Sequence, residues 1–292
     1  MTETINTLAP PQSKTTLAQQ LGVTRTTLYY QPKLPAKDLA LKAEIERVMN
    51  KHKAYGHRRI ADELGVDKKR IRRVMHIFHL KVSRKRKIAK KHQDVGQKPM
   101  AIPNLVLGLT IDRPHHVWVS DFTYLPYYEK FIYLSTVEDV FTRRVLGWAV
   151  STRHTVDLVS QAFLEAILLH PTPTMIHSDQ GAEYRSKEYL HLLGSFHIQP
   201  SMSQKASPWQ NGYQESFFSG FKFELGYPEI YPALGELIEA IAQQIHYYNH
   251  ERIHTALRCS PVVFATKYQL NQQRTVNNSL IINQEIPVRQ SV

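Results

Sequence analysis

Residues 118–151 read WVSDFTYLPYYEKFIYLSTVEDVFTRRVLGWAVS. Three β-rich runs lie inside this stretch: WVSDFTYL, FIYLSTVEDV and RRVLGWAVS, separated by short polar segments. Runs of that length and spacing predict three consecutive strands folded as an antiparallel meander. Downstream, TVDLVSQAFLEAIL (155–168) carries the helical period, and TMIHSD (174–179) predicts a fourth strand. SKEYLHLLGSF (186–196) predicts a helix starting near Ser186, IQPSMS (198–203) a fifth short strand, and QKASPWQNG (204–212) a polar loop. YQESFFSGFKFEL (213–225) and ALGELIEAIAQQIHYYNHERI (233–253) predict further helices. Strands interleaved with helices in this order make an α/β layered domain.

Upstream of the strands the texture is helical. LAQQLGVTRTTLYYQP (17–32) predicts a short helix, a turn at Gly22 and a second helix with Thr24 as its N-cap, stopped by Pro32. Residues 39–80 repeat the scheme, with Leu41, Ile45 and Val48 at helical spacing, a turn at Gly65, and then a helix bearing Lys68, Lys69, Arg70, Arg72 and Arg73. Helix, short glycine-containing turn and basic helix is the layout of a helix-turn-helix DNA reader. KVSRKRKIAKKHQDVGQKP (81–99) has little apolar periodicity and reads as a basic arm, with Arg84, Lys85, Arg86 and Lys87 at its centre. The expected divisions are a helix-turn-helix-like segment 1–38, a helix-turn-helix domain 39–80, a linker 81–114, an α/β core with C-terminal helices 115–268, and a polar tail 269–292.

Charge is unevenly distributed. Between residues 51 and 98 there are 17 Lys and Arg against 4 Asp and Glu. That excess of +13 in a chain of net charge +12 leaves the remainder at −1. Such concentration is an electrostatic footprint for a polyanion. The run lacks the apolar face that a membrane-surface helix needs. With 292 residues, 42% of them hydrophobic, the chain can bury a substantial core. Its one cysteine, Cys259, excludes an internal disulfide framework and a multi-thiolate zinc site. No signal pattern or run of transmembrane length is present, so an intracellular protein without a membrane partner is expected.

Three carboxylates fall on three separate elements. Asp121 lies in the first strand, Asp179 ends the fourth, and Glu215 sits in the first turns of the helix after the polar loop. Acidic oxygens suit hard divalent cations, for which substrate phosphate and water complete the shell.

Taken in order, WVSDFTYL, FIYLSTVEDVFTRRVLGW, IHSDQGAEYRS, SMSQKASPWQNGYQESFFSGFKFEL and YYNHERIHTAL resemble the consecutive blocks of DDE transposases. The similarity is to the catalytic reading frame of the IS-three family of bacterial insertion sequences, relatives of retroviral integrase. LGVTRTTLYYQP and YGHRRIADEL…RIRRVM are similar to that family's leading region. The resemblance spans roughly residues 17–265. It implies an α/β, RNase H-like integrase core preceded by small all-helical modules, and a metal-dependent DNA strand transferase. Asp121, Asp179 and Glu215 match the family's triad, expected to hold Mg²⁺ or Mn²⁺. Lys222, two helical turns beyond Glu215 and on the same face, takes the place of a residue that contacts the DNA end. Further DNA contacts are expected from Arg58, Arg59, Lys68, Lys69, Arg70, Arg72, Arg73, the arm Arg84–Lys87, and Arg252. Where many relatives have Asp-Asn-Ala, this chain has Gln210-Asn211-Gly212, which removes an acidic partner at 210.

Implied partners are double-stranded DNA (the element's terminal repeats and a target), further copies of the chain, and the product of a preceding reading frame. The location would be the cytoplasm, at the nucleoid when DNA-bound. Two alternatives stay open: an RNase H-like nuclease without strand transfer, and a DNA-binding regulator with an idle core. Competing residues have plainer readings. Asp139 is expected to pair with Arg143 at a hairpin, and His177 to support Asp179 on one strand face. His246, His250 and His254 recur every four residues without a cysteine partner, and zinc is set aside. Tyr247 and Tyr248 are expected to pack, as are Trp118 and Trp148, whereas Trp209 is placed to stack on a base.

Overall fold

The computed structural model describes residues 13–29, 34–83, 102–203 and 212–284. The expectations for Pro32, Arg84, Lys85, Arg86, Lys87, Trp209, Gln210 and Asn211 lie outside these residues.

The meander forms as the sequence predicts. Strands β1 (Val117–Tyr127), β2 (Lys130–Asp139) and β3 (Val145–Ser151) pair antiparallel, with Asp121 opposite Thr136 and Val119 opposite Glu138. β4 (Met175–Ser178) then adds parallel to β1, and β5 (Gln199–Met202) parallel to β4. The order is β3-β2-β1-β4-β5, which makes β1 the centre of a mixed sheet. This is the expected α/β core.

Strand alternation sends the two faces of the sheet to different helices. On one face, Trp118 and Val137 pack under α5 (Val156–Leu169) and α6 (Lys187–Ser195) with Phe163, Tyr184 and Tyr189. On the other, Leu125, Ile132, Leu134 and Val145 pack under α7 (Gly212–Leu225) and α8 (Leu234–His250). Trp118 is fully buried, while Trp148 is half-buried at the edge of the second cluster. Gly147 sits where β3 meets α5. A Cβ there would lie 2.3 Å from the Ala162 carbonyl oxygen and 2.6 Å from the Ala166 nitrogen, so the helix can rest on the strand only because the side chain is missing.

The amino-terminal part contains α1 (Lys14–Gln20), α2 (Leu34–Lys51), α3 (His57–Leu64) and α4 (Lys68–Ile77). Gly65, at φ +62°, terminates α3, and the Asp67 carboxylate caps α4 by accepting from the Lys69 and Arg70 amides. Where a second helix was expected from Thr24, the chain makes only a five-residue 3₁₀ turn, Arg25–Tyr29. Thr24 bonds to the hydroxyls of Thr26 and Thr27, local bonding that competes with a regular helix.

This helical bundle does not stand apart from the core. Ile253, just beyond α8, joins the bundle's apolar cluster with Ile45, Val48, Ile60 and Ile71. The Tyr55 hydroxyl accepts from the Ile253 amide at 2.6 Å, and His52 bonds the Tyr247 hydroxyl at 2.7 Å while stacking on Tyr55. Lys51 pairs with Glu251 and Arg258 with Asp62.

A second departure is α9 (Pro261–Gln284), which runs through the boundary expected at 268 into the segment expected to be a polar tail. Its residues 269–275 are exposed, so no apolar stripe announces the helix in the sequence.

Gly147→Ala tests the sheet–helix contact. Overpacking against backbone that cannot withdraw should cost about 1–3 kcal/mol or more. Chemical denaturation that finds the variant within about 0.5 kcal/mol of wild type would show that α5 is not seated as described.

Candidate active site

The opening strand positions Asp121 in mid-β1, on the sheet face covered by α7. One of its carboxylate oxygens accepts from the Phe122 amide at 2.8 Å. Burial raises its pKa to about 7. Asp179 adds to that rise, as does Glu215 to a smaller degree, and Lys222 opposes it. Asp121 thus sits in the field of both other acids.

Asp179 follows the last residue of β4 and is exposed. It makes a tight local turn, its Oδ1 accepting from the Gly181 amide at 2.8 Å. A Cβ on residue 181 would lie 3.0 Å from that same oxygen and from Glu183 Oε2, a tight fit that favours glycine there. Beneath it, buried His177 bonds Ser201 Oγ at 2.9 Å across β4 and β5, and the Gln180 amide donates to the Ser203 carbonyl. His177 therefore braces the strand that ends in Asp179.

Glu215 is exposed in the first turn of α7, and that turn is fixed by its neighbour. Gln214 is fully buried: its carbonyl accepts from Thr136 Oγ1 at 3.1 Å, and its amide donates to the Val119 carbonyl at 3.1 Å. Both partners flank Asp121 on the sheet, Thr136 directly across the ladder. The sequence reading missed Gln214. Its signal was a polar residue at a position the helix buries, one before a candidate acid. Lys222 lies partly buried over the Tyr124 ring, 4.8 Å from its centroid.

The convergence expected of the three carboxylates goes only so far. They share one electrostatic neighbourhood, but among the described residues no group of three His, Cys, Asp or Glu is arranged to hold a metal ion. Asp121 and Asp179 each give one oxygen to a backbone amide, and their like charges repel one another.

The other expected residues divide by burial. Arg58, Lys68, Lys69, Arg70, Arg72 and Arg73 are exposed on α3 and α4, Arg73 pairing with Asp38 at 2.7 Å. Arg59 is partly buried against the core and donates to Thr255 Oγ1. Arg252, expected to meet DNA, is instead inside: its Nε donates to both Glu224 oxygens, at 2.7 and 3.0 Å. Asp139 is buried in the hairpin, accepting from Thr142 Oγ1 and the Phe141 amide. It does not take Arg143, whose guanidinium lies 4.0 Å from the Tyr213 ring centroid. His246 and His250 stack on each other, and His254 lies apart in the turn beyond α8. Tyr248 packs against Phe217 as expected.

Comparison with known proteins adds a second line of observation. Residues 111–208 match the integrase core domain family, and residues 197–261 match a second integrase core domain family. The transposase for insertion sequence element IS904 of Lactococcus lactis is 35% identical over 227 residues, covering 74% of this chain and 89% of that protein. The putative transposase InsK for element IS150 of Escherichia coli is 31% identical over 257 residues, covering 83% and 89%. Among solved structures, the HTLV-2 integrase catalytic core domain in complex with magnesium aligns over 52% of this chain and 97% of its own, with 23% identity and a TM-score of 0.41.

The anchor under Glu215 is open to test by stability. Gln214→Leu strands the Thr136 hydroxyl and the Val119 carbonyl, and should cost about 1–3 kcal/mol. Adding Thr136→Val should recover part of that loss, because the hydroxyl no longer lacks a partner. Strictly additive losses in urea denaturation would mean that the two side chains do not interact.

Proposed function

The chain belongs to the DDE transposases of the IS-three family of bacterial insertion sequences, polynucleotidyl transferases with an integrase core, and from that premise we propose how its site works. Asp121, Asp179 and Glu215 form the catalytic triad, acting on the terminal repeats of the element and on target DNA in the cytoplasm. The observation that carries this reading is the Asp121 carboxyl: partly buried on the central strand and pushed up to about 7 by desolvation, with Asp179 and Glu215 contributing, it is where negative charge is crowded.

That crowding, and an all-oxygen donor set, fit a hard divalent cation. Asp121, Asp179 and Glu215 would hold it, and Mg²⁺ or Mn²⁺ bound there supplies charge neutralisation and polarisation at the reacting phosphate. The chain's own residues do the rest. Gln214 fixes the first turn of α7, which carries Glu215, to the strands beside Asp121. Lys222, two turns further along the same helix, offers its ammonium to a DNA-end phosphate and keeps the 3′-hydroxyl near the target strand. Cleavage uses water and joining uses the freed 3′-hydroxyl, so no Ser, Tyr or Cys nucleophile is required. The exposed basic face of α4 and the arm 84–87 supply phosphate contacts that give affinity. Joining two ends to one target calls for a homo-oligomer on DNA, with the product of a preceding reading frame as a further partner.

Glu215→Gln should abolish cleavage of terminal-repeat DNA while leaving binding within a few-fold of wild type; substantial residual cleavage would remove Glu215 from the triad. Lys222→Ala should lower joining of pre-cleaved ends to a target at least tenfold, and more than it lowers cleavage. Equal losses in both steps would deny Lys222 its part in holding the end. A wild-type protein that cuts and never joins would make the chain a nuclease.

A further inference from the structure

A cavity of about 630 Å³ opens on the same sheet face as Asp121, between the start of α7, the end of α8 and helix α3 of the bundle. Three guanidinium groups line it from three separate elements: Arg59 on α3, Arg143 in the β2–β3 hairpin, and Arg252 after α8. Arg252 is matched by Glu224. Arg59 has only neutral oxygens as hydrogen-bond partners, Thr255 Oγ1 and the Ala54 carbonyl, and Arg143 lies on the Tyr213 ring. Burial lowers the pKa of Arg59, and the neighbouring Arg252 adds to this, as expected where cations crowd.

Among the described residues the lining holds one acid, and it does not balance them. Glu138 projects from β2, is 2% exposed, and its Oε2 makes no hydrogen bond. Burial pushes its pKa to about 8 against the pull of Arg143, so near neutral pH the protonated, donating form is favoured. Arg59 and Arg143 are partly buried and, among the described residues, neither is paired with an acid by hydrogen bond, although Glu224 acts on Arg59 and Arg143 on Glu138 at longer range; cations crowded in this way favour an anion between them. Arginine forks reach two oxygens of one oxyanion at a time, which suits a tetrahedral group approached from several sides. The amino-terminal turn of the 14-residue α7 also faces the cavity through Gly212 and Tyr213, adding the positive end of a helix dipole.

We propose that this cavity is a phosphate site, seating one phosphate group between Arg59, Arg143 and the carboxyl of Glu138. The site lies outside the carboxylate triad and does not depend on the strand-transfer reading: it would hold phosphate in a chain that neither cut nor joined DNA. Because its walls come from both the bundle and the core, an occupied site ties the basic helices to the helix that carries Glu215.

The test is calorimetric titration of the full chain with inorganic phosphate. Wild-type protein should show one saturable site, and Arg143→Gln should weaken it at least tenfold, as should Arg59→Gln. Arg153→Gln, an exposed position away from the cavity, should bind as wild type. Melting curves establish that each variant is folded, and with two independent arginines the loss of one to misfolding still leaves the other decisive. Repeating the titration with saturating duplex DNA identifies the source: loss of the phosphate site assigns it to a strand phosphate, and retention assigns it to a free phosphate or phosphomonoester. No saturable binding to wild-type protein would overturn the proposal. So would undiminished binding in both folded cavity variants.

Discussion

A carboxylate on the central strand of a packed sheet is expensive to keep, and the core is laid out around keeping Asp121 there. β1 has neighbours on both sides, and Asp121 in its middle is only partly exposed. Burial penalises its charge, and the two other acids penalise it further. Desolvation and like-charge repulsion both favour the protonated form, so nothing in the packing alone explains an acid at this position. An apolar residue would serve the core better, as it does at Val119 and Leu125 on the same face. On the proposed function, a bound divalent cation offsets that cost, because its charge opposes both penalties.

That demand passes outward to Gln214. An exposed acid on the first turn of a helix would fray if only dispersion held the helix down. Gln214 replaces fraying with two hydrogen bonds to the strands beside Asp121. The turns that follow are fixed by Phe217, Phe218 and Phe221, which pack with Tyr248 and the inner face of β2 and β3. Rigidity therefore grows along α7 from its polar start into its aromatic interior. Glu215 and Lys222 ride on one rod rather than on a loop.

The meander, the parallel fourth and fifth strands and the glycine after Asp179 were legible because each leaves a local mark: β-branched runs, turn residues, or a glycine where a Cβ would collide with Asp179 and Glu183. The candidate triad was legible through family blocks as well as through residue type. Gln214 was not, since a glutamine in a helix is unremarkable until its burial is known. Helix α9 escaped because an exposed, Asn- and Gln-rich segment shows no periodicity. Arg252 was misjudged for a related reason. Sequence gives its charge but not Glu224, which lies a helix away and takes it into the interior.

The docking of the helical bundle onto the core was the least legible feature, because its bonds join residues nearly two hundred positions apart, as between Tyr55 and Ile253. Its physics argues against a free-swinging DNA reader. The Ile253 side chain completes the bundle's own apolar cluster, so separation would expose that cluster and leave the Tyr55 hydroxyl and the Ile253 amide unmet within it. The surrounding ion pairs add little individually, being partly exposed, but they fix the angle of approach. On the proposed function, a basic helix carried at a set angle to the acid-bearing sheet lets DNA held on one be delivered in register to the other. On that geometry the length of strand between the two surfaces is set by the fold rather than by the linker.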